Sequence, residues 1–78
     1  MVDVKLMPIL AKRAASRQER LSLDFAPGLT PGAVAEAEGF HGPDLETILA
    51  IVNGQQVELD TPLADGDALE LLVGIAGG

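Results

Sequence analysis

Few side chains in this sequence are able to act as nucleophile, base or ligand, and their spacing removes most of them in turn. There is no cysteine, which excludes a disulfide framework, a cysteine zinc site, an iron–sulfur cluster and a thiol nucleophile. His41 is the single histidine, and one loop imidazole with no second donor beside it reads as incidental. Glu36 and Glu38 are two apart, so a helix turns them to different faces and they make no catalytic pair. Arg13, Arg17 and Arg20 have helical spacing and would give one basic face toward an anionic partner or cofactor tail, with a solvated face as the simpler reading. The glycines show no phosphate-loop pattern, because Gly77-Gly78 comes after a strand and opens no helix.

What remains is the carboxyl end itself, Gly74-Ile75-Ala76-Gly77-Gly78. A terminal carboxylate, with a pKa of about 3.5, is an anion at neutral pH and carries no leaving group, so it must be activated before any nucleophile can substitute at its carbon. Glycine at 77 and 78 has no Cβ, which lets the backbone thread a narrow channel in dihedrals other residues do not reach. Five extended residues, 74–78, span roughly 17 Å. Ordering them costs roughly 5 to 10 kcal/mol, at about 1 to 2 per residue. A folded body must therefore supply the docking energy.

The elements that make that body follow from periodicity. The chain has 78 residues, 47% hydrophobic and 22% charged, which suits one small globular domain. A domain of that size buries only about two-thirds of its unfolded surface, so function belongs on the surface or at a terminus rather than in a deep cavity. Residues 2–7 alternate, placing Val2, Val4 and Leu6 on one face of a strand and Met7 on the other. Leu21, Leu23 and Phe25 repeat the pattern in residues 21–25, and the two strands pair as a hairpin. Residues 9–20 between them are rich in Ala, Arg, Gln and Glu, which predicts a short helical excursion with Pro8 at its start.

Thr30-Pro31 reads as a helix N-cap followed by proline at the first helical position, and Gly39 as the stop. Val34, Ala37 and Ala33 supply a thin apolar stripe, with Glu36 and Glu38 on the solvent side. Leu45, Ile48 and Leu49 have helical spacing before a strand at residues 50–52. Asn53-Gly54 predicts a type I′ hairpin turn, Val57 and Leu59 a short strand, and Asp65-Gly66 a second turn. Residues 68–75 are the most apolar strand, with Leu69, Leu71 and Val73 opposite Glu70, and Leu72 facing out beside Glu70. The simplest closure of this α+β domain pairs the first and last strands in parallel at the centre of a mixed sheet. One main helix crosses between the second and third strands, which is the β-grasp, or ubiquitin-like, arrangement. The domain is expected over residues 1–73, followed by a flexible tail, residues 74–78.

Charge narrows the partners. All five basic residues lie in the first 20 positions, which carry +3, while residues 21–78 carry −10. That distribution argues against nucleic acid and for partners with basic docking surfaces, with plain solubility as the alternative. The longest apolar run, residues 6–11, contains Pro8 and is far short of the roughly 18 residues that span a bilayer. No membrane association and a cytoplasmic location are expected.

The segments Val4-Lys5-Leu6, Val52-Asn53-Gly54, Asp60-Thr61-Pro62-Leu63, Asp65-Gly66-Asp67 and Ala76-Gly77-Gly78 stand in the order seen in MoaD and ThiS proteins, and the chain resembles that sulfur-carrier family from residue 2 to residue 78. The long connection at residues 9–20 and the Ala-Gly-Gly ending are similar to MoaD, the small subunit of molybdopterin synthase, whereas the short stretch 40–48 is as in ThiS. Met7 stands where the family commonly has an aromatic, and Val73-Gly74-Ile75 replaces paired prolines that often precede the tail.

The resemblance implies a carrier that is not itself an enzyme and binds no cofactor. An E1-like adenylating enzyme would use ATP to convert Gly78 to an acyl-adenylate, and a sulfur donor would then leave a terminal thiocarboxylate. The acceptor implied is the molybdopterin synthase large subunit, or thiazole synthase in the thiamine pathway. Gly77 and Gly78 would be the reacting end and Gly74, Ile75 and Ala76 partner contacts; the outward-facing Met7 and Leu72 are candidates for an apolar docking contact, with an ordinary exposed apolar pair as the alternative. A ubiquitin-like modifier conjugated through Gly78 and a non-covalent β-grasp binding module stay open as alternatives.

Overall fold

Two apolar strands from opposite ends of the chain lie side by side at the centre of the molecule, and the other elements are arranged around them. The computed structural model describes residues 1–74. Strand β1 (Val2–Leu6) buries Val2, Val4 and Leu6 and exposes Asp3 and Lys5, the alternation its sequence carries. It pairs in parallel with β5 (Ala68–Val73), Val4 beside Leu69 and Leu6 beside Leu71. On its other side β1 pairs antiparallel with β2 (Arg20–Leu23), Val4 opposite Leu21. The far side of β5 pairs antiparallel with β3 (Ile48–Val52), which pairs in turn with β4 (Gln55–Val57), giving the sheet order β2-β1-β5-β3-β4. The parallel pairing of first and last strands and the mixed sheet are those expected of a β-grasp.

Helix α2 (Pro31–Ala37) covers one face of the sheet. The Thr30 hydroxyl accepts from the Ala33 N–H at 3.1 Å, Pro31 opens the helix, and Gly39 ends it at φ +97°, all as the sequence predicts. Its buried side differs from expectation. Pro31, Val34 and Ala35 are buried, while Ala33 and Ala37 are exposed. The core beneath combines the inward residues of β1, β3 and β5 with Val34, Ala35, Phe40, Leu10, Ala14 and Leu63.

Two expectations fail for one tertiary reason. The helical excursion starts at Pro8 as expected but stops short: α1 (Pro8–Ala11) is a single turn, residues 12–20 do not continue it, and Arg17 lies at φ +55°. Glu38 does not face solvent but is only 8% exposed. The Ala15 N–H donates to the Glu38 carbonyl at 2.9 Å, and the Ser16 N–H and hydroxyl donate to the Glu38 carboxylate at 3.1 and 2.6 Å. These bonds replace the next turn of α1, and helix propensity of a few tenths of a kcal/mol per residue does not compete with charge-assisted hydrogen bonds of about 1.5 to 3 kcal/mol. Arg13, Arg17 and Arg20 therefore share no helix face. Arg13 pairs with Asp44 at 3.3 Å, and Arg20 begins β2.

Around β3 the helical spacing of Leu45, Ile48 and Leu49 is divided between two elements. Leu45 belongs to α3 (Pro43–Glu46), whereas Ile48 and Leu49 open β3, opposite Val73 and Leu72. The unpaired edge of β5 decides this, since its backbone groups need partners once buried. Strand β2 also starts one residue earlier and ends sooner than expected, leaving Phe25 outside it but packed on the core. Asn53 and Gly54 take φ +50° and +86°, as a type I′ turn requires.

Candidate functional site

Among the described residues no helix covers the sheet face away from α2, and in sequence β5 is followed by the chain's last five residues. Three apolar side chains stand there in a row across β1, β5 and β3. Met7 continues the outward alternation of Asp3 and Lys5, and its N–H donates to the Leu71 carbonyl at 3.0 Å, so it keeps parallel register with β5 before Pro8 turns the chain into α1. Leu72 comes next on β5, half-buried, and Leu49 lies opposite it on β3. Met7 and Leu49 are 37% and 36% exposed. Such side chains gain by being covered, at about 25 cal/mol per Å² of apolar surface removed from water.

The next rung toward the middle of the sheet is polar. Lys5 and Glu70 are register partners, with Nζ and carboxylate 3.9 Å apart, and Ile51 lies across from Glu70. Beyond them an open groove over the same face is lined by Asp3, Lys5, Arg20, Asn53 and Glu70. It is shallow and carries both signs of charge, which suits a polar rim around the apolar row. The far end of the sheet holds a hydrogen-bonded cluster. Asp67 accepts from the Ala64 N–H at 2.8 Å and from the Asn53 side chain at 2.9 Å, which together hold its carboxyl below the usual carboxylate range.

The structure brings Met7, Leu72 and Gly74 to one end of the sheet. The Gly74 N–H donates to the Thr47 carbonyl at 2.7 Å, and the Val73 N–H to the Met7 thioether at 3.5 Å. Ile75, Ala76, Gly77 and Gly78 lie outside the described residues. His41 is exposed in the turn before α3. Among the described residues no group of three or more acidic or histidine side chains could hold a metal ion, and no helix is long and apolar enough to cross a membrane.

Leu49 is the surface residue that sequence reasoning missed. Its spacing from Leu45 read as helical, but the alternation of Ile48, Leu49 and Ala50, buried, exposed and buried, is the period of a strand.

Comparison with known proteins agrees with this architecture. A model of the ThiS family matches residues 9–78. No curated protein matches the chain significantly. Among solved structures, SAMP1 from Haloferax volcanii superposes with a TM-score of 0.71 at 25% identity, over 99% of this chain and 98% of that one. A chain of the Amycolatopsis orientalis BexX/CysO complex superposes with a TM-score of 0.65 at 22% identity, over all of both chains, and so shares the fold. With a β-grasp sheet whose central strand runs out toward a Gly-Gly end, and with the family match covering nearly the whole sequence, the chain belongs to the ThiS family of ubiquitin-like sulfur carriers.

Proposed function

We propose that this protein carries sulfur on its carboxyl-terminal glycine and delivers it to a biosynthetic enzyme. The observation that supports this most is that β5, the central strand, leads directly from the apolar row into Gly74-Ile75-Ala76-Gly77-Gly78. A partner docked on Met7, Leu72 and Leu49 therefore lies next to the start of the segment it must receive.

The chemistry proceeds in two balanced steps. In the first, a Gly78 carboxylate oxygen attacks the α-phosphorus of ATP in an E1-like adenylating enzyme, and pyrophosphate leaves. In the second, a hydrosulfide-level sulfur attacks the carbonyl carbon, the carbon–oxygen bond to AMP breaks, and AMP departs with a proton released to solvent. The product is a thiocarboxylate, a soft nucleophile where the carboxylate was inert. This chain supplies the docking face and an unhindered end; the ATP site and the catalytic groups belong to the partner.

For the acceptor we favour the molybdopterin synthase large subunit, on the strength of the long connection between β1 and β2, which carries α1 and the residues tied to Glu38. Thiazole synthase is the second reading, favoured by the match to the ThiS family model.

Intact mass of the protein from its native cells, before and after a thiol-alkylating reagent, tests the carrier reading. Because the chain has no cysteine, an adduct mapped to Gly78 is expected from a thiocarboxylate. An oxygen-only terminus after incubation with the adenylating enzyme, ATP and sulfide would overturn the reading. Slower-migrating conjugates that depend on Gly78 would show the modifier chemistry instead.

A further inference from the structure

The last two described residues are held from opposite sides by groups whose arrangement the docking face does not require. Val73 N–H and Gly74 N–H point to opposite neighbours of β5, as successive amides of a strand do. On the β1 side the strand has already given way to α1 at Pro8, and the Met7 thioether takes the Val73 N–H at 3.5 Å in place of a backbone carbonyl. On the β3 side the Thr47 carbonyl takes the Gly74 N–H at 2.7 Å, one residue beyond the end of β5. Leu49 then closes over the glycine. A Cβ built on Gly74 would lie 2.8 Å from Leu49 Cγ, 2.9 Å from Cδ1 and 3.2 Å from Cδ2, distances that require the leucine to move.

We infer that Met7, Thr47 and Leu49 form a clamp that fixes the backbone of Val73 and Gly74 where β5 ends, and that Gly74 is glycine because Leu49 occupies the place of its side chain. Its purpose rests on the carrier reading, but the clamp is a property of the free protein. Residues already ordered at the root add no entropy cost when a partner draws the segment in. Leu49 also belongs to the apolar row. A methyl group at 74 would push it out of that row, so the backbone at residue 74 and the shape of the docking face are coupled through one contact. Met7, Thr47 and Leu49 are positioning residues, acting on the reacting end only through the backbone at 73 and 74.

The test measures amide exchange and N–H residual dipolar couplings at Val73 and Gly74 in the free protein. In parallel, ATP–pyrophosphate exchange is measured with the adenylating enzyme. The variants are Gly74→Ala, Leu49→Ala, the two combined, and Met7→Leu. Gly74→Ala is expected to speed exchange at residue 74 and to lower kcat/KM by about tenfold, the factor set by the ordering entropy of about one residue. The double variant should behave as Leu49→Ala alone, because the clash that couples the two sites is gone. Met7→Leu keeps the bulk and removes the sulfur acceptor, so it should speed exchange at Val73 and leave Gly74 unchanged.

Wild-type exchange at residue 74 in Gly74→Ala, or simple addition of the two effects in the double variant, would overturn the clamp. Unchanged exchange at Val73 in Met7→Leu would remove Met7 from it. Should the amide measurements come out as expected while no variant, wild type included, is adenylated, the clamp stands and the carrier reading fails.

Discussion

Leu72 shows how much one side chain's position settles. Alternation along β5 puts it on the face opposite Leu71, and pairing with β3 sets Leu49 beside it. Between Met7 and Leu49 it is half-buried, so replacing it costs some packing as well as any partner contact. Leu72→Asp places a charge in the middle of the apolar row, where a docked partner would have to desolvate it. We expect affinity for the adenylating enzyme, measured by calorimetry, to fall at least tenfold, while urea unfolding shows a loss of only about 1 kcal/mol. Equal affinity for the variant and wild type would remove this row as the docking face.

At the scale of elements, the segment between β1 and β2 is held by side-chain bonds rather than by its own helicity. Glu38, at the C-cap of α2, receives the Ser16 N–H and hydroxyl while its carbonyl receives the Ala15 N–H. Its carboxylate thus does the work of a missing helical turn. Glu38→Ala leaves those donors without their charged acceptor and should destabilise the protein by about 2 kcal/mol, read from the urea midpoint at constant slope. A loss under about 0.5 kcal/mol, the range of ordinary surface changes, would show that α1 and its loop are held by packing of Leu10, Ala11 and Ala14 instead.

Across the whole molecule, two titrating groups at the end of the sheet away from Gly74 set a pH window for stability. Asp67 is held below its ordinary value of 3.8 by the Ala64 N–H and then the Asn53 side chain. A depressed folded pKa contributes stability that is fully present above the unfolded value and is lost as pH falls through the folded one. The Met1 amino group is held above its ordinary value of 8.0, first by its hydrogen bond to Asp65 and then by the charges of Asp65, Asp24 and Asp3. That contribution is present below the unfolded value and is lost as pH rises through the folded one. Stability measured by urea at a series of pH values should therefore decline on the acid side below Asp67's ordinary value and on the alkaline side above that of the amino group. Asp67→Asn should flatten the acid limb. An acid limb unchanged in Asp67→Asn would assign the decline to other carboxylates. The alkaline limb should weaken in high salt, since its pair is exposed.

Sequence periodicity by itself determined the parts of this protein that depend on local pattern. The alternation in residues 2–6 and 68–73, the Thr30-Pro31 start and Gly39 stop of α2, and the Asn53-Gly54 turn each reflect a backbone preference that neighbours in the chain suffice to set. The apolar character of the two end strands likewise implied their central parallel pairing. Tertiary structure alone decided the rest, wherever a distant group outweighed a weak local propensity. Glu38 ended α1 after one turn, the open edge of β5 drew Ile48 and Leu49 out of a helical pattern, and Leu49 in turn reserved the space at Gly74. In each case the deciding partner lies more than 20 residues away along the chain, so the bond or contact that decides exists only once the chain has folded.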